Sequence, residues 1–214
     1  MGKYYRIGAA AVAWFALVLQ YTLTITKPGA PFIEATVRYF GFFSILTNIL
    51  VALALTFPWL APQSLAGRFF DRPSVRAAIL TYIIIVAVIY HYLLAKLWNP
   101  QGWQLVADTI EHVVTPALYV IDWVLFVPKG TLKFKSAFVW LAFPLAYAAY
   151  SLIDGAVRGY YPYPFINVAE FGYHKILINM AVLVLVFVGL GLVLIGIDRR
   201  MGGNNARAGA TTFN

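Results

Sequence analysis

Six runs of apolar residues dominate the chain, each broken only by isolated polar positions and separated by short segments that carry most of the Lys, Arg and Pro. They cover residues 5–25, 39–59, 75–97, 104–127, 136–155 and 175–197. A helix rising about 1.5 Å per residue needs roughly 20 residues to cross about 30 Å of hydrocarbon, so each run predicts one transmembrane helix. The first has no small-residue cleavage site after a short apolar core and runs on to Thr26, so it reads as a retained helix rather than a signal peptide. The expected fold is all-α, an integral membrane bundle of six transmembrane helices forming a single domain over residues 1–201. Residues 202–214, mostly Gly, Asn, Ala and Thr, cannot bury a core and read as a disordered cytoplasmic tail. No repeat of the length that builds solenoids is present.

Composition agrees with lipid as the main solvent. Only 11% of the 214 residues are charged and the mean hydropathy is +0.77, which excludes an ordinary water-facing surface. A net charge of +8 would raise nucleic acid as a partner of a soluble protein; here the cations lie between the apolar runs, so they report topology and no nucleic acid is expected. Lys3, Arg6, Arg68, Arg72, Arg76, Lys129, Lys133, Lys135, Arg199, Arg200 and Arg207 fall in the N-terminus, the second and fourth loops and the tail; Lys27, Arg38, Lys96, Arg158 and Lys175 fall in the other three loops. Basic residues are retained on the cytoplasmic side, so both termini are expected there. With no cysteine, disulfides, thiolate catalysis and cysteine-ligated metals are excluded.

An ionisable side chain at bilayer depth costs roughly 2.5–3.5 kcal/mol on insertion scales, so the few that remain carry the most information. In the fourth run, Asp108, Glu111, His112 and Thr115 are spaced i, i+3, i+4, i+7 and share one helix face. In the second, Ser44, Thr47 and Asn48 share a face by the same spacing. With these runs entering near Tyr39 and Gln104, Thr47 and His112 each lie about 12 Å along the axis, at matching depths. A hydroxyl beside an imidazole is the arrangement that attacks an acyl carbon. The ring takes the hydroxyl proton and returns it to the leaving group, Asp108 would hold the other ring nitrogen, and Asn48 would donate to the oxyanion. The competing structural reading is that Ser, Thr and Asn in spans simply bond helix to helix.

Other polar positions are weaker candidates. His91 and Tyr92 late in the third run, His174 at the start of the sixth and Asn179 within it are read as possible cavity lining. Asp122 and Asp154 fall near span ends, where water or a nearby cation accounts for them. No spacing of His, Asp and Glu matches a metal motif, so neither metal nor cofactor is expected.

The six runs, Phe-Ser-Ile-Leu-Thr-Asn at 43–48, Glu-His-Val-Val-Thr-Pro at 111–116 and Tyr-Pro-Tyr-Pro-Phe at 161–165 together resemble the bacterial branch of the androgen-induced protein family. Eukaryotic members are multipass threonine hydrolases that cleave fatty acid esters of hydroxy fatty acids with an intramembrane Thr and His. The resemblance implies Thr47 as nucleophile, His112 as base, membrane lipids or lipid esters as substrate, and a multipass place in a bacterial cytoplasmic membrane. Ser44 competes with Thr47, because Phe42-Phe43-Ser44 matches the front of the family pattern and Thr47-Asn48 its end. The expected function is an intramembrane lipid esterase. A small proton-coupled transporter using Asp108, Glu111, His112 and Asp154, and a lipid-binding scaffold without catalysis, are the alternatives.

Overall fold

The structure, a computed structural model, describes residues 1–29 and 31–211, with side chains through residue 203. Among the described residues all regular structure is helical. Six helices are long and apolar enough to cross a membrane: Gly2–Ile25, Phe43–Leu60, Pro73–Leu97, Trp103–Phe126, Ser136–Arg158 and Val168–Gly203. The chain is an all-α, multipass membrane protein whose helices form two compact units, divided between Pro128 and Lys129.

The first unit contains α1 (Gly2–Ile25), α2 (Phe32–Gly41), α3 (Phe43–Leu60), α4 (Leu65–Phe70), α5 (Pro73–Ile89), α6 (Trp103–Thr109) and α7 (Thr115–Phe126). Ala9, Ala10, Ala13 and Ala16 are buried along one face of α1, and the small side chains let its backbone come close to α3, where Ala52 and Ala54 are also buried. In lipid, where apolar surface gains little by leaving the tails, close packing of this kind is the main force that joins helices. Ala13, Leu17, Tyr39, Ile45 and Ala52 form one such cluster. Tyr39 belongs to α2, not to the second span as the hydropathy predicts. Phe42 is extended (φ −86°, ψ 129°), so the chain turns there and the span begins at Phe43. Thr47 is then only four residues in, or about 6 Å.

Two other departures have the same root. Arg76 reads as a loop cation and Asp122 as a solvated carboxylate, yet both are almost completely buried. Asp122 Oδ2 accepts from Arg76 Nη1 at 2.6 Å and its Oδ1 from Arg6 Nε at 2.7 Å. Pro58, late in α3, has no N–H to offer the carbonyl of Ala54 one turn earlier. Arg76 Nη2 donates to that carbonyl instead, at 3.1 Å. One proline in the second span thus prepares an acceptor for a cation of the third.

The second unit contains α8 (Ser136–Val139), α9 (Ala142–Arg158) and α10 (Val168–Thr211). Pro144 sits in the first turn of α9, where a missing N–H costs little, and the fifth span is broken just before it. Gly172 (φ 71°, ψ 160°) interrupts α10 near its start, a conformation open to glycine alone at little cost. Asp154 pairs with Arg158 one turn on, as its place near a span end predicts. Asp198 is buried: its Oδ2 accepts from Leu132 N at 3.0 Å and its carbonyl from Gly130 N at 3.1 Å. The side chains of most of the segment 202–214, read as a disordered tail, lie outside the described residues, as does everything after Thr211.

Candidate functional site

The site assembles where two spans leave the α-helical ladder. Residues Tyr90–Leu94 in the third span and Ile110–Val114 in the fourth each form one turn of π-helix. The Ala95 N–H reaches back to the Tyr90 carbonyl and the Thr115 N–H to that of Ile110, five residues in each case. Such turns add a residue without ending the helix and recur at functional sites. Pro116, lacking an N–H, removes a further donor just beyond the second turn. The Glu111 carbonyl instead accepts from Asn48 Nδ2 of α3, at 3.3 Å. This contact brings the second span level with the π turn that carries His112, although the two spans begin at different depths.

Asp108, Glu111, His112 and Thr115 are all buried, so the polar stripe of the fourth span faces the protein. His112 Nδ1 lies 3.0 Å from the Asp108 carbonyl, and since a carbonyl only accepts, Nδ1 carries a proton. The Asp108 carboxylate is 3.2 Å from the same nitrogen through Oδ1. Its other oxygen accepts from the Tyr90 hydroxyl, which in turn accepts from Trp98 Nε1 at 3.2 Å. Tyr90 also stacks on the His112 ring, with centroids 3.7 Å apart and planes 14° from parallel. The imidazole is therefore oriented at Nδ1 by Asp108 and in plane by Tyr90.

Neither Tyr90 nor Trp98, whose place near a span end predicts only an interfacial ring, is among the site residues expected from the sequence. A signal for Tyr90 existed: Ile79, Ile83, Val86 and Tyr90 recur at helical spacing, and all four are buried. Its neighbours, read as cavity lining, point elsewhere. His91 is exposed with Nδ1 2.8 Å from the Ala87 carbonyl, and Tyr92 is 79% exposed.

On the second span, Thr47 is fully buried, Asn48 nearly so and Ser44 half-buried. Asn48 does not have the free donor that an oxyanion would need. Its Nδ2 gives hydrogen bonds to Ser44 O at 2.9 Å and to Glu111 O at 3.3 Å, so it joins two helices. Five buried polar atoms in these two stretches have no hydrogen-bond partner among the described residues: Thr47 Oγ1, Asn48 Oδ1, Asp108 Oδ1, Glu111 Oε1 and Thr115 Oγ1. Each such atom costs about 1–3 kcal/mol when nothing polar meets it. All five lie in the two stretches that the Asn48–Glu111 hydrogen bond joins.

In the second unit, His174 is exposed and Asn179 Nδ2 donates to the Phe165 carbonyl at 3.0 Å. Asn179 thus anchors the Tyr-Pro segment, where Tyr163 and Phe165 stack. Among the described residues no three His, Asp or Glu side chains converge as metal ligands would. Compared in turn with protein-family models, with curated proteins and with solved structures, the chain matches none.

Proposed function

We propose that the chain is an intramembrane esterase of long-chain fatty acyl esters, with His112 as base and Thr47, or Ser44 one turn away, as nucleophile. The observation that carries this reading is the oriented imidazole, its Nδ1 held by Asp108, on the π turn that Asn48 ties to the second span, where the neighbouring Thr47 hydroxyl is buried with no hydrogen-bond partner. A hydroxyl is a weak nucleophile until a base takes its proton. In the proposed cycle Nε2 accepts that proton as Thr47 Oγ1 bonds to the acyl carbon. The tetrahedral intermediate collapses with return of the proton to the departing alkoxide, and water then releases the fatty acid by the same route. Asn48 acts as a positioning residue that holds the second span against the π turn. In this reading the chain is a bacterial relative of the androgen-induced protein family, and the ester enters sideways from the lipid.

Alanine at His112 should abolish hydrolysis of a long-chain ester while the variant still folds in detergent. Wild-type activity in that variant defeats the proposal. A fluorophosphonate probe should label the wild type and Ser44→Ala but not Thr47→Ala, and the reverse pattern makes Ser44 the nucleophile. A second reading, a proton-coupled carrier, draws on the buried Glu111 carboxyl, whose Oε1 has no partner. Proton-dependent uptake into proteoliposomes without probe labelling would favour it.

A further inference from the structure

At the end of the first unit where α3 closes and α5 begins lies a cavity of about 290 Å³, lined by Pro58, Pro62, Gly67, Arg68, Asp71 and Arg72. Its floor depends on Gly67, where a Cβ would overlap the Ala61 carbonyl and crowd Pro62. Only glycine lets α4 rest against that backbone. Ser64 fixes the start of α4 by accepting from Gly67 N at 2.9 Å. The volume is at the small end for ligand sites and suits a headgroup rather than a whole lipid.

The charge inside is unbalanced. Arg68 and Arg72 are exposed, and among the described residues neither makes an ion pair. The one carboxylate of the lining, Asp71, is 3.6 Å from Arg76 Nη2. Two guanidinium groups therefore face the cavity uncommitted, four residues apart. Beside them Leu60, Leu65 and Phe69 are exposed apolar side chains. A short helix that turns Leu and Phe outward at the end of a span lies at the boundary between headgroups and tails, and basic pockets at that level hold anionic lipids.

We propose that this cavity binds the phosphodiester headgroup of an anionic membrane phospholipid. Arg68 and Arg72 bond to the phosphate oxygens, for which planar guanidinium groups are well shaped, while Leu65 and Phe69 lie against the upper acyl chains. The proposal is independent of the esterase reading and uses none of its residues.

The test titrates short-chain dihexanoyl phosphatidylglycerol into the full chain in uncharged detergent and follows its thermal unfolding. Dihexanoyl phosphatidylcholine and inorganic phosphate are titrated in parallel. A saturable rise with phosphatidylglycerol alone is expected. The Arg68→Gln/Arg72→Gln variant should bind it about 30-fold more weakly, each cation near a membrane surface contributing roughly a factor of five. Lys133→Gln/Lys135→Gln, which removes the same charge elsewhere, should leave the response intact. An equal response to inorganic phosphate overturns the lipid assignment in favour of a free anion. An equal response to phosphatidylcholine, undiminished binding by the Arg variant, or the same loss in the Lys variant overturns the site.

Discussion

The sharpest quantitative consequence of the fold concerns Asp122, which neutralises two cations inside the first unit. In Asp122→Asn the shape is kept and the charge removed. Arg6 has a side chain 15% exposed and can turn its head toward water. Arg76, with a side chain 1% exposed, cannot. The variant therefore leaves this buried guanidinium with only the exposed Asp71, 3.6 Å from its Nη2, and breaking a buried pair in this way costs about 3–5 kcal/mol. For a chain of this size each kcal/mol moves the midpoint by about 2–4 °C, so thermal unfolding in detergent should fall by roughly 6–20 °C. The buried Trp123, next to Asp122, provides an intrinsic fluorescence signal. Adding Arg76→Met to Asp122→Asn removes the buried charge, so the double variant should melt higher than Asp122→Asn alone. Recovery stays incomplete, because the Ala54 carbonyl loses the donor that replaces the missing N–H of Pro58. A single variant within about 2 °C of wild type, or a double variant that melts lower still, refutes the view that Asp122 compensates a buried charge.

Tyr90→Phe keeps the ring that stacks on His112 and deletes the hydroxyl between Asp108 and Trp98. A loss of about 1.5–3 kcal/mol is expected by the same unfolding assay, and an unchanged midpoint would show that the hydroxyl does not hold Asp108 in place. Gly67→Ala forces α4 away from the backbone at Ala61 and Pro62 and should cost about 1–3 kcal/mol, with faster proteolysis within residues 61–72. Full stability in that variant argues against the close approach.

Six spans and the candidate cluster were legible in the sequence because both follow from local quantities. Length and hydropathy alone identify a helix that can cross lipid, and the i, i+3, i+4, i+7 spacing alone puts Asp108, Glu111, His112 and Thr115 on one side of it. Expense at bilayer depth also marked these residues as inward-facing, and they are buried. Partners were not legible. Arg76 reads like any cation after a loop until Pro58 on one neighbouring helix frees a carbonyl and Asp122 on another supplies a carboxylate. Asn48 reads as a free donor until both its target carbonyls, Ser44 and Glu111, are in place. Tyr90, His91 and Tyr92 have similar polarity, and only a π turn and the approach of Asp108 and His112 put the first inside and leave the other two outside.

The sequence by itself determined that this protein lives in lipid, how many times it can cross, and which span carries the ionisable stripe. The tertiary structure decided which polar atoms are met and which are left without partners. The physical reason is the solvent: hydrocarbon tails and a protein interior are equally apolar, so hydropathy detects the span but does not distinguish its lipid face from its protein face. That distinction rests on close packing and hydrogen bonds between helices distant in the chain.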